Sequence, residues 1–231
     1  MPERRFFCDQ EPASGQLLIE GDEFHHIVHV MRYRPGDEIE VVNGRGRLLR
    51  GRIAVVSAAG LRLAVAGSED FPRPQPRVFV AVSLTRGHAM NWLVEKLCEM
   101  GVDEVRPLVC ERTDVSWSPA QLRRWQKLAA QALKVNRRYW LTRLCEPTAP
   151  DALAAAAAGI PAKVLLDLDA AERLERPAAA PALAAIGPPG DFTAAEKEMF
   201  RAAGFRPARI NDAILKTETA ALSAAAILKN D

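Results

Sequence analysis

The stretch that decides the fold is ILKTETAALSAAAILKND, residues 214–231. A lysine, two threonines and a glutamate lead into small and apolar residues, which predicts a helix with a polar start. A surface helix capped by Thr217 or Thr219, with Glu218 at its positive end, explains the polar residues. It does not explain the apolar Ile-Leu before them. The small residues of the helix would let another segment or subunit approach closely.

A second loop carries an equally unusual pattern. Leu183–Ile186 is predicted as a short strand that runs into GPPGDF, residues 187–192, and Thr193 and Glu196 then form a capping box for a helix. The glycines would let a ligand approach the backbone, and the prolines would stiffen the loop. Dinucleotides and nucleoside triphosphates are not favoured, because neither GxGxxG nor GxxxxGK[ST] matches.

The chain from residue 78 onward alternates predicted strands and helices. This rhythm is typical of an α/β domain with a mostly parallel sheet, in which ligands bind beyond the carboxyl ends of the strands. Helices are predicted around residues 92–100, from Ser118-Pro119 onward, over 151–158 and at the terminus. The predicted strands are Val78–Leu84, Val105–Val109, Val164–Leu168, Leu183–Ile186 and Arg209–Ile210.

The first part of the chain has a different pattern. Residues 1–68 contain short alternating runs such as Glu38–Val42, followed by the Asn43-Gly44 turn signal and a returning strand over Leu48–Val56. One helical segment, Glu23–Arg32, interrupts the strands, and a small β-barrel fits the spacing. A proline-rich segment follows and is predicted to be a stiff linker. The predicted domains are 1–70 (barrel), 71–77 (linker) and 78–231 (α/β domain).

Composition excludes several classes of protein. The 231 residues are 48% hydrophobic and 26% charged, as in ordinary globular proteins. No apolar run has membrane-spanning length, and the start has no secretory signal, so no membrane association is predicted. The four cysteines form no CxxC pair, which indicates a reduced, cytoplasmic protein. His25 and His29 share a helix face but have no third ligand nearby, so no metal site is predicted.

A basic segment lies in the middle of the chain. Gln121–Arg143 contains seven basic residues and no acidic one, with Trp125, Tyr139 and Trp140 interleaved. Phosphate contacts combined with base stacking would explain this composition. A solvated basic helix face whose aromatic residues lie in the core would explain it equally well, and the residues alone leave both alternatives open.

The two loops together resemble the RsmE family, the bacterial 16S ribosomal RNA uridine-N3 methyltransferases of the SPOUT superfamily. IGPPGDF and ILKTETAAL are similar to the family's usual IGPEGGF and LGxxILRTETA. The resemblance extends over nearly the whole chain through Arg4–Phe7, His26-Ile27, Val30–Arg32, Gly36-Asp37, Asn43-Gly44, Leu84, Gly87, Met90, Glu95-Lys96, Glu99–Val102, Glu111–Thr113 and Arg124-Trp125.

The resemblance implies a fold that periodicity alone does not show. It implies an α/β fold, a SPOUT-type α/β trefoil-knot methyltransferase domain preceded by a small PUA-like β-barrel domain. The C-terminal segment would be threaded through a loop, and the protein would be a homodimer that acts on 16S ribosomal RNA or the small ribosomal subunit. The terminal helix would then form both part of the cofactor pocket and part of the dimer interface.

The resemblance also implies a set of site residues for the cofactor S-adenosyl-L-methionine. Four residues are candidates for catalysis, namely Arg138, Arg112, Lys216 and Glu218. Arg138, Arg112 and Lys216 would donate hydrogen bonds to the anion that forms when uracil N3 loses its proton. RNA contacts are expected from Arg4, Arg5 and Arg32 of the barrel and, because of the composition of the basic segment, from Arg124, Lys134 and Arg137. The cofactor is expected at Leu84, Ile186, Gly187, Pro188, Gly190, Ile210, Asn211, Ile214, Leu215, Thr217 and Thr219.

The chain departs from the family pattern at three places. Pro189-Gly190-Asp191 replaces the family's Glu-Gly-Gly, and Ile210-Asn211 replaces Leu-Gly. The family's ExxEQSxR on the basic helix is replaced around Lys134–Asn136. Two alternatives therefore remain beside the methyltransferase: an RNA-binding protein of the same fold without catalytic activity, and an α/β enzyme that acts on a small nucleotide.

Overall fold

The computed structural model describes residues 5–177 and 181–229. The chain divides into two compact units. One comprises Met1–Arg73 and Ala130–Leu141, and the other comprises Pro74–Ala129 and Thr142–Asp231. The unit boundary at residue 73 falls within the predicted linker, and the first unit also includes Ala130–Leu141 from the basic segment. The predicted domain boundaries themselves stay a prediction.

The first unit is built on five strands, β1 (Arg5–Phe7), β2 (Gln16–Ile19), β3 (Glu38–Val42), β4 (Arg47–Ser57) and β5 (Gly60–Asp70). They form one sheet with the order β1-β3-β4-β5-β2. Strand β1 pairs in parallel with β3, and the other pairs are antiparallel. Helix α1 (Gly21–His25) continues as a π-helical turn, His26–Val30, where the sequence predicts a single helical segment.

The turn between β3 and β4 shows why this hairpin forms. The Asn43 side-chain oxygen accepts hydrogen bonds from the backbone amides of Arg45 (2.8 Å) and Arg47 (3.0 Å). Gly44 has a φ of +71°, a conformation that glycine adopts at no steric cost. The Asn-Gly signal therefore acts through an asparagine that closes the turn and a glycine that allows it.

The second unit is an α/β unit with the strands β6 (Val78–Ser83), β7 (Glu104–Leu108), β8 (Arg143–Leu144), β9 (Ala162–Leu166), β10 (Ala182–Ile186) and β11 (Arg206–Ala208). They form a six-stranded, fully parallel sheet of order β11-β9-β10-β6-β7-β8. Its helices are α2 (Gly87–Glu99), α4 (Pro150–Ala156), α5 (Ala194–Ala202) and α6 (Thr217–Lys229), while α3 (Pro119–Val135) contributes residues to both units.

The core of the second unit contains the central strand β6 and the C-terminal helix α6. All six residues of β6 are buried, as expected for an apolar run in the middle of a parallel sheet. Helix α6 packs against α2, β6 and β10 and buries Ala221, Ala224, Ala225 and Leu228. The small residues of the terminal helix are thus the contact face of a packed element, so the terminus is not a surface appendage.

Two strands of the second unit differ most from the sequence-based prediction. The last strand is Arg206–Ala208, three residues before the predicted Arg209–Ile210, and the two-residue strand β8 was not predicted. Pro207 lies within β11, which is the edge strand and pairs only with β9. Proline has no amide donor and is tolerated at the edge of a sheet. Because a proline within a run argues against a strand, the sequence pattern alone does not indicate β11.

Candidate functional site

A cavity of about 720 Å³ opens at the carboxyl ends of β9, β10 and β11. This volume lies in the range of about 300–1,000 Å³ that is typical of small-molecule sites. Its walls come from three segments of the second unit, namely the end of β9, the loop after β10 and the segment that leads from β11 into α6. The lining residues are Leu166, Asp167, Leu168, Ile186, Gly187, Pro188, Pro189, Gly190, Asp191, Ala208, Arg209, Ile210, Asn211, Ala213, Ile214, Leu215, Lys216, Thr217, Glu218 and Ala220.

The structure brings together most of the residues predicted to bind a cofactor. Leu84 is buried after β6, and Thr219 is exposed on α6, and neither is among the lining residues of this cavity. The predicted residues that line the cavity are Ile186, Gly187, Pro188, Gly190, Ile210, Asn211, Ile214, Leu215 and Thr217.

The loop 187–192 has an unusual backbone. Gly190 and Asp191 have φ angles of +86° and +67°. A β-carbon added at Gly190 would meet no protein atom within 4 Å. Aspartate tolerates the left-handed region better than most residues because its short carboxylate can bond locally. Here the Asp191 carboxylate accepts a hydrogen bond from the Phe192 amide at 2.7 Å, which explains how an aspartate occupies a position where the family has glycine.

Helix α6 is tied to this loop at its first residue. The Thr217 hydroxyl donates a hydrogen bond to the backbone oxygen of Gly187 at 3.2 Å, and its side chain is buried. Lys216 is exposed and Glu218 is half-buried, and both line the cavity. The first residue of α6 therefore joins two walls of the cavity.

Arg112 approaches the same loop from the segment after β7. Its guanidinium donates hydrogen bonds to the backbone oxygens of Gly190 and Asp191. Glu196 reinforces this link, because its carboxylate accepts from the amide of Glu111 at 2.9 Å and from that of Thr193 at 2.8 Å. The predicted capping box of α5 is present. Arg112 thus contacts the cavity loop, whereas the fourth catalytic candidate, Arg138, belongs to the first unit.

Sequence reasoning missed the wall formed by Leu166, Asp167 and Leu168. The Asp167 side chain is 4% exposed and pairs with Lys197 at 2.8 Å and Arg201 at 3.3 Å. Burial acts to raise the pKa of Asp167. The hydrogen bonds from Lys197 and the Asp169 amide, with the charges of Lys197 and Arg201, outweigh it and lower the pKa. The signal that would have identified this wall is its place at the end of a predicted parallel strand.

Replacing Asp167 by asparagine is expected to destabilise the protein in a pH-dependent way. A carboxyl group whose pKa is lowered by folding stabilises the native state above its unfolded pKa of about 4. That contribution is lost as the pH falls through the folded pKa. Hydrogen bonds to charged groups contribute about 1.5–3 kcal/mol each. Urea unfolding of Asp167→Asn and wild type should therefore differ at pH 7, and the difference should shrink toward pH 3; a difference independent of pH would contradict this.

The residues predicted to contact RNA fall into two groups, and Arg4 lies outside the described residues. The side chain of Arg5 is 8% exposed and pairs with Glu40 at 3.2 Å. That of Lys134 is 10% exposed and pairs with Glu23 at 2.8 Å. Arg32, Arg124 and Arg137 are exposed, and over 5–177 and 181–229 the structure gives them no ion pair. RNA contacts by all of these residues stay a prediction, and the second group has the accessible charges.

The aromatic residues of the basic segment are engaged within the protein. Trp125 is 1% exposed and donates to the Asn91 side chain at 2.9 Å. The ring of Tyr139 stacks on Phe71 with centroids 3.5 Å apart, and the Trp140 indole donates to the Phe71 backbone oxygen at 3.1 Å. Base stacking by Trp125 is therefore contradicted, because its ring lies in the core.

The described residues contain neither a membrane-spanning helix nor a cluster of metal-binding side chains. None of the helices in 5–177 and 181–229 is long and apolar enough to cross a membrane. The same residues contain no cluster of three or more histidine, cysteine or acidic residues arranged for a metal ion. The rings of His25 and His29 do lie close together, with centroids 5.0 Å apart. All four cysteines are free.

Comparison with known proteins gives consistent matches. Residues 72–229 match the RNA methyltransferase domain family, and residues 19–63 match the RNA methyltransferase PUA domain. The chain is 29% identical over 228 residues to ribosomal RNA small subunit methyltransferase E of Mycobacterium bovis, an alignment that covers 94% of this chain and 87% of that protein.

Two solved structures are similar over nearly the whole chain. A probable rRNA-methyltransferase from Porphyromonas gingivalis has a TM-score of 0.82 at 26% identity, with 96% of this chain and 95% of that chain covered. The ribosomal RNA small subunit methyltransferase E of Neisseria gonorrhoeae, bound to S-adenosyl methionine, has a TM-score of 0.83 at 22% identity, with 97% and 95% covered.

Fold and cavity together define the class of protein. The chain consists of a small PUA-like β-barrel domain followed by a SPOUT-type α/β trefoil-knot methyltransferase domain, as the resemblance implied. The family match covers more than half of the chain, and the chain belongs to the RNA methyltransferase family. The predicted resemblance to the RsmE family is confirmed by relatives that carry that enzyme's name.

Proposed function

We propose that the protein transfers a methyl group from S-adenosyl-L-methionine to N3 of a uridine in 16S ribosomal RNA. The observation that carries this proposal is the cavity built by the IGPPGDF loop and the ILKTET segment, the two motifs most similar to the RsmE family. The names of the curated relatives support a substrate in the small ribosomal subunit.

The cavity fits S-adenosylmethionine in its size and in its chemistry. Apolar walls from Leu166, Ile186, Ile210 and Leu215 suit the adenine ring, and the backbone amides and carbonyls of two loops offer hydrogen bonds to its edge. The open space at Gly190 lets a ligand lie against the backbone. When bound, S-adenosylmethionine supplies an electrophilic methyl group.

The residues around the cavity suit proton and charge handling. Uracil N3 must lose a proton when it is alkylated, and the anion that forms needs donors close by. Lys216 is exposed and lines the cavity, and Arg112 is fixed to the cavity loop by the backbone oxygens that it contacts. Lys216 is accordingly the stronger candidate for stabilising the uracil anion, and Arg112 holds the loop.

The assembly state and location are also proposed. A homodimer would place the outer face of α6, which carries exposed Thr219 and half-buried Leu222 and Ser223, against a second copy. The small side chains of Thr219 and Ser223 on this face would let two helices approach closely. A cytoplasmic location fits the ribosomal substrate and the four free cysteines.

We infer that two arginines of the first unit, Arg32 and Arg137, contact RNA phosphates. Arg32 and Arg137 follow helical segments with φ angles of +61° and +52°. Glycine is the usual residue at such positions, and another residue there costs about 1–2 kcal/mol. An exposed arginine at this cost fits a role for its charge in binding RNA.

Replacing each of these arginines by glycine is expected to weaken RNA binding without loss of stability. The glycine relieves the backbone strain while the phosphate contact is lost, so the salt dependence of RNA binding should fall by about one unit of slope per residue. Arg50→Ala is the matched control, because Arg50 is exposed but paired with Glu40 and Glu69. Parental slopes in the Arg32→Gly and Arg137→Gly variants would show that these charges are only solvated.

Two measurements test the proposed function. Calorimetric titration with S-adenosylmethionine should show saturable binding. In the second, 16S ribosomal RNA is incubated with the protein and S-adenosylmethionine, either as naked RNA or in assembled subunits. Mass-spectrometric mapping should then show one methylated uridine. Absence of binding heat would favour the RNA-binding protein without catalytic activity, and methylation of free nucleotides would favour the small-nucleotide enzyme.

A further inference from the structure

We propose that Lys197 is a positioning residue that holds the 187–192 loop in the conformation that binds the cofactor. The inference rests on the proposed function, because it takes the cavity to be the site of S-adenosylmethionine. Lys197 is on α5 and is not one of the residues that line the cavity. It would act on the site through two aspartates that do line it.

The Lys197 ammonium joins two walls of the cavity. Its nitrogen lies 2.8 Å from an oxygen of Asp167, at the end of β9, and 2.6 Å from an oxygen of Asp191, in the loop after β10. The lysine side chain is 15% exposed. Burial acts to lower its pKa, but the hydrogen bonds to Asp167 and Asp191 raise the pKa above its ordinary value, so the amine stays charged.

The loop depends on this contact because its backbone is strained at Asp191. That residue has a φ of +67°, and one oxygen of its carboxylate accepts from the Phe192 amide while the other faces Lys197. Without the ammonium group, the carboxylate would turn toward water and the loop would populate other conformations. The contact with Lys197 thus adds to the bond from the Phe192 amide in holding an aspartate in a conformation that glycine adopts more readily.

Loss of the bridge is expected to appear as weaker cofactor binding. When only a fraction of the molecules holds the competent loop, the apparent Kd rises by the inverse of that fraction. A fall to about one tenth would raise the Kd for S-adenosylmethionine about tenfold. Binding would weaken although no group that touches the ligand had changed.

The experiment compares Lys197→Met with Arg201→Met. Arg201 pairs with Asp167 at 3.3 Å, and no contact of Arg201 with Asp191 is seen in the described residues. Calorimetry with S-adenosylmethionine should show a Kd raised about tenfold in Lys197→Met and within about twofold of wild type in Arg201→Met. Lys197→Arg should restore the affinity. Amide hydrogen exchange of the ligand-free protein should be faster at residues 190–192 in Lys197→Met only.

The Asp191→Gly variant tests whether Lys197 acts through Asp191. Glycine removes both the strain and the carboxylate, so adding Lys197→Met in that background should change the Kd little. Wild-type exchange at residues 190–192 in Lys197→Met, or an equal effect of Arg201→Met, would overturn the positioning role. If wild-type protein binds no S-adenosylmethionine, the proposed function fails, and the exchange experiment still decides whether Lys197 holds the loop.

Discussion

Truncation after Asp212 is expected to give protein that does not fold. The deletion removes α6, whose residues Ala221, Ala224, Ala225 and Leu228 are buried against α2, β6 and β10. It also breaks the ion pair of Lys229 with Asp103, which measures 3.1 Å. At about 25 cal/mol per Å², several hundred Å² of lost apolar contact amounts to roughly 10 kcal/mol, comparable to the whole stability of a domain.

Solubility, gel filtration and a urea unfolding curve measure the effect. Removal of residues 230–231 alone is the control and should leave a folded protein, because every contact of α6 named above remains. A Lys229→Ala variant separates the ion pair from the packing and should be folded but less stable. If the chain that ends at Asp212 is soluble and unfolds cooperatively like wild type, α6 is not required for the fold.

The parts of the fold that follow from local pattern could be predicted. The apolar run of β6, the Asn43-Gly44 turn and the capping box at Thr193 each depend on residues within a few positions of one another, and the structure shows all three. Strand β11 could not be predicted, because Pro207 is acceptable only at an edge, and the edge is defined by strand order. Strand order is a property of the whole sheet.

In the candidate site, features formed by one continuous segment could also be predicted, whereas contacts between residues far apart in the sequence could not. The two cavity loops could be found from their motifs, since each is a continuous segment. The ion pair of Lys134 with Glu23 joins residues 111 positions apart, and that of Lys197 with Asp167 joins residues 30 apart. No local pattern specifies such partners. Lys134 was therefore predicted as an RNA contact from composition, although its ammonium group is largely buried against a glutamate.

Gly190→Asn is expected to weaken binding of S-adenosylmethionine by on the order of 100-fold or more, equivalent to about 2.7 kcal/mol. Gly190 lines the cavity, and a β-carbon there would meet no protein atom within 4 Å, so we expect a side chain at this position to occupy volume that the cofactor needs. Asparagine is preferred to valine, because a branched side chain at a φ of +86° would distort the loop by itself. Asparagine tolerates that conformation.

Gly204→Asn is the matched control for the strain that remains. Gly204 has a φ of +84°, it does not line the cavity, and a β-carbon there would meet only the end of the flexible Lys163 side chain at 3.3 Å. Both variants should therefore lose similar stability in urea unfolding, while only Gly190→Asn loses cofactor affinity in calorimetry. Equal affinities in the two variants would mean that the cofactor does not lie against Gly190. It would then bind in the part of the cavity that is lined by Leu166 and Leu215.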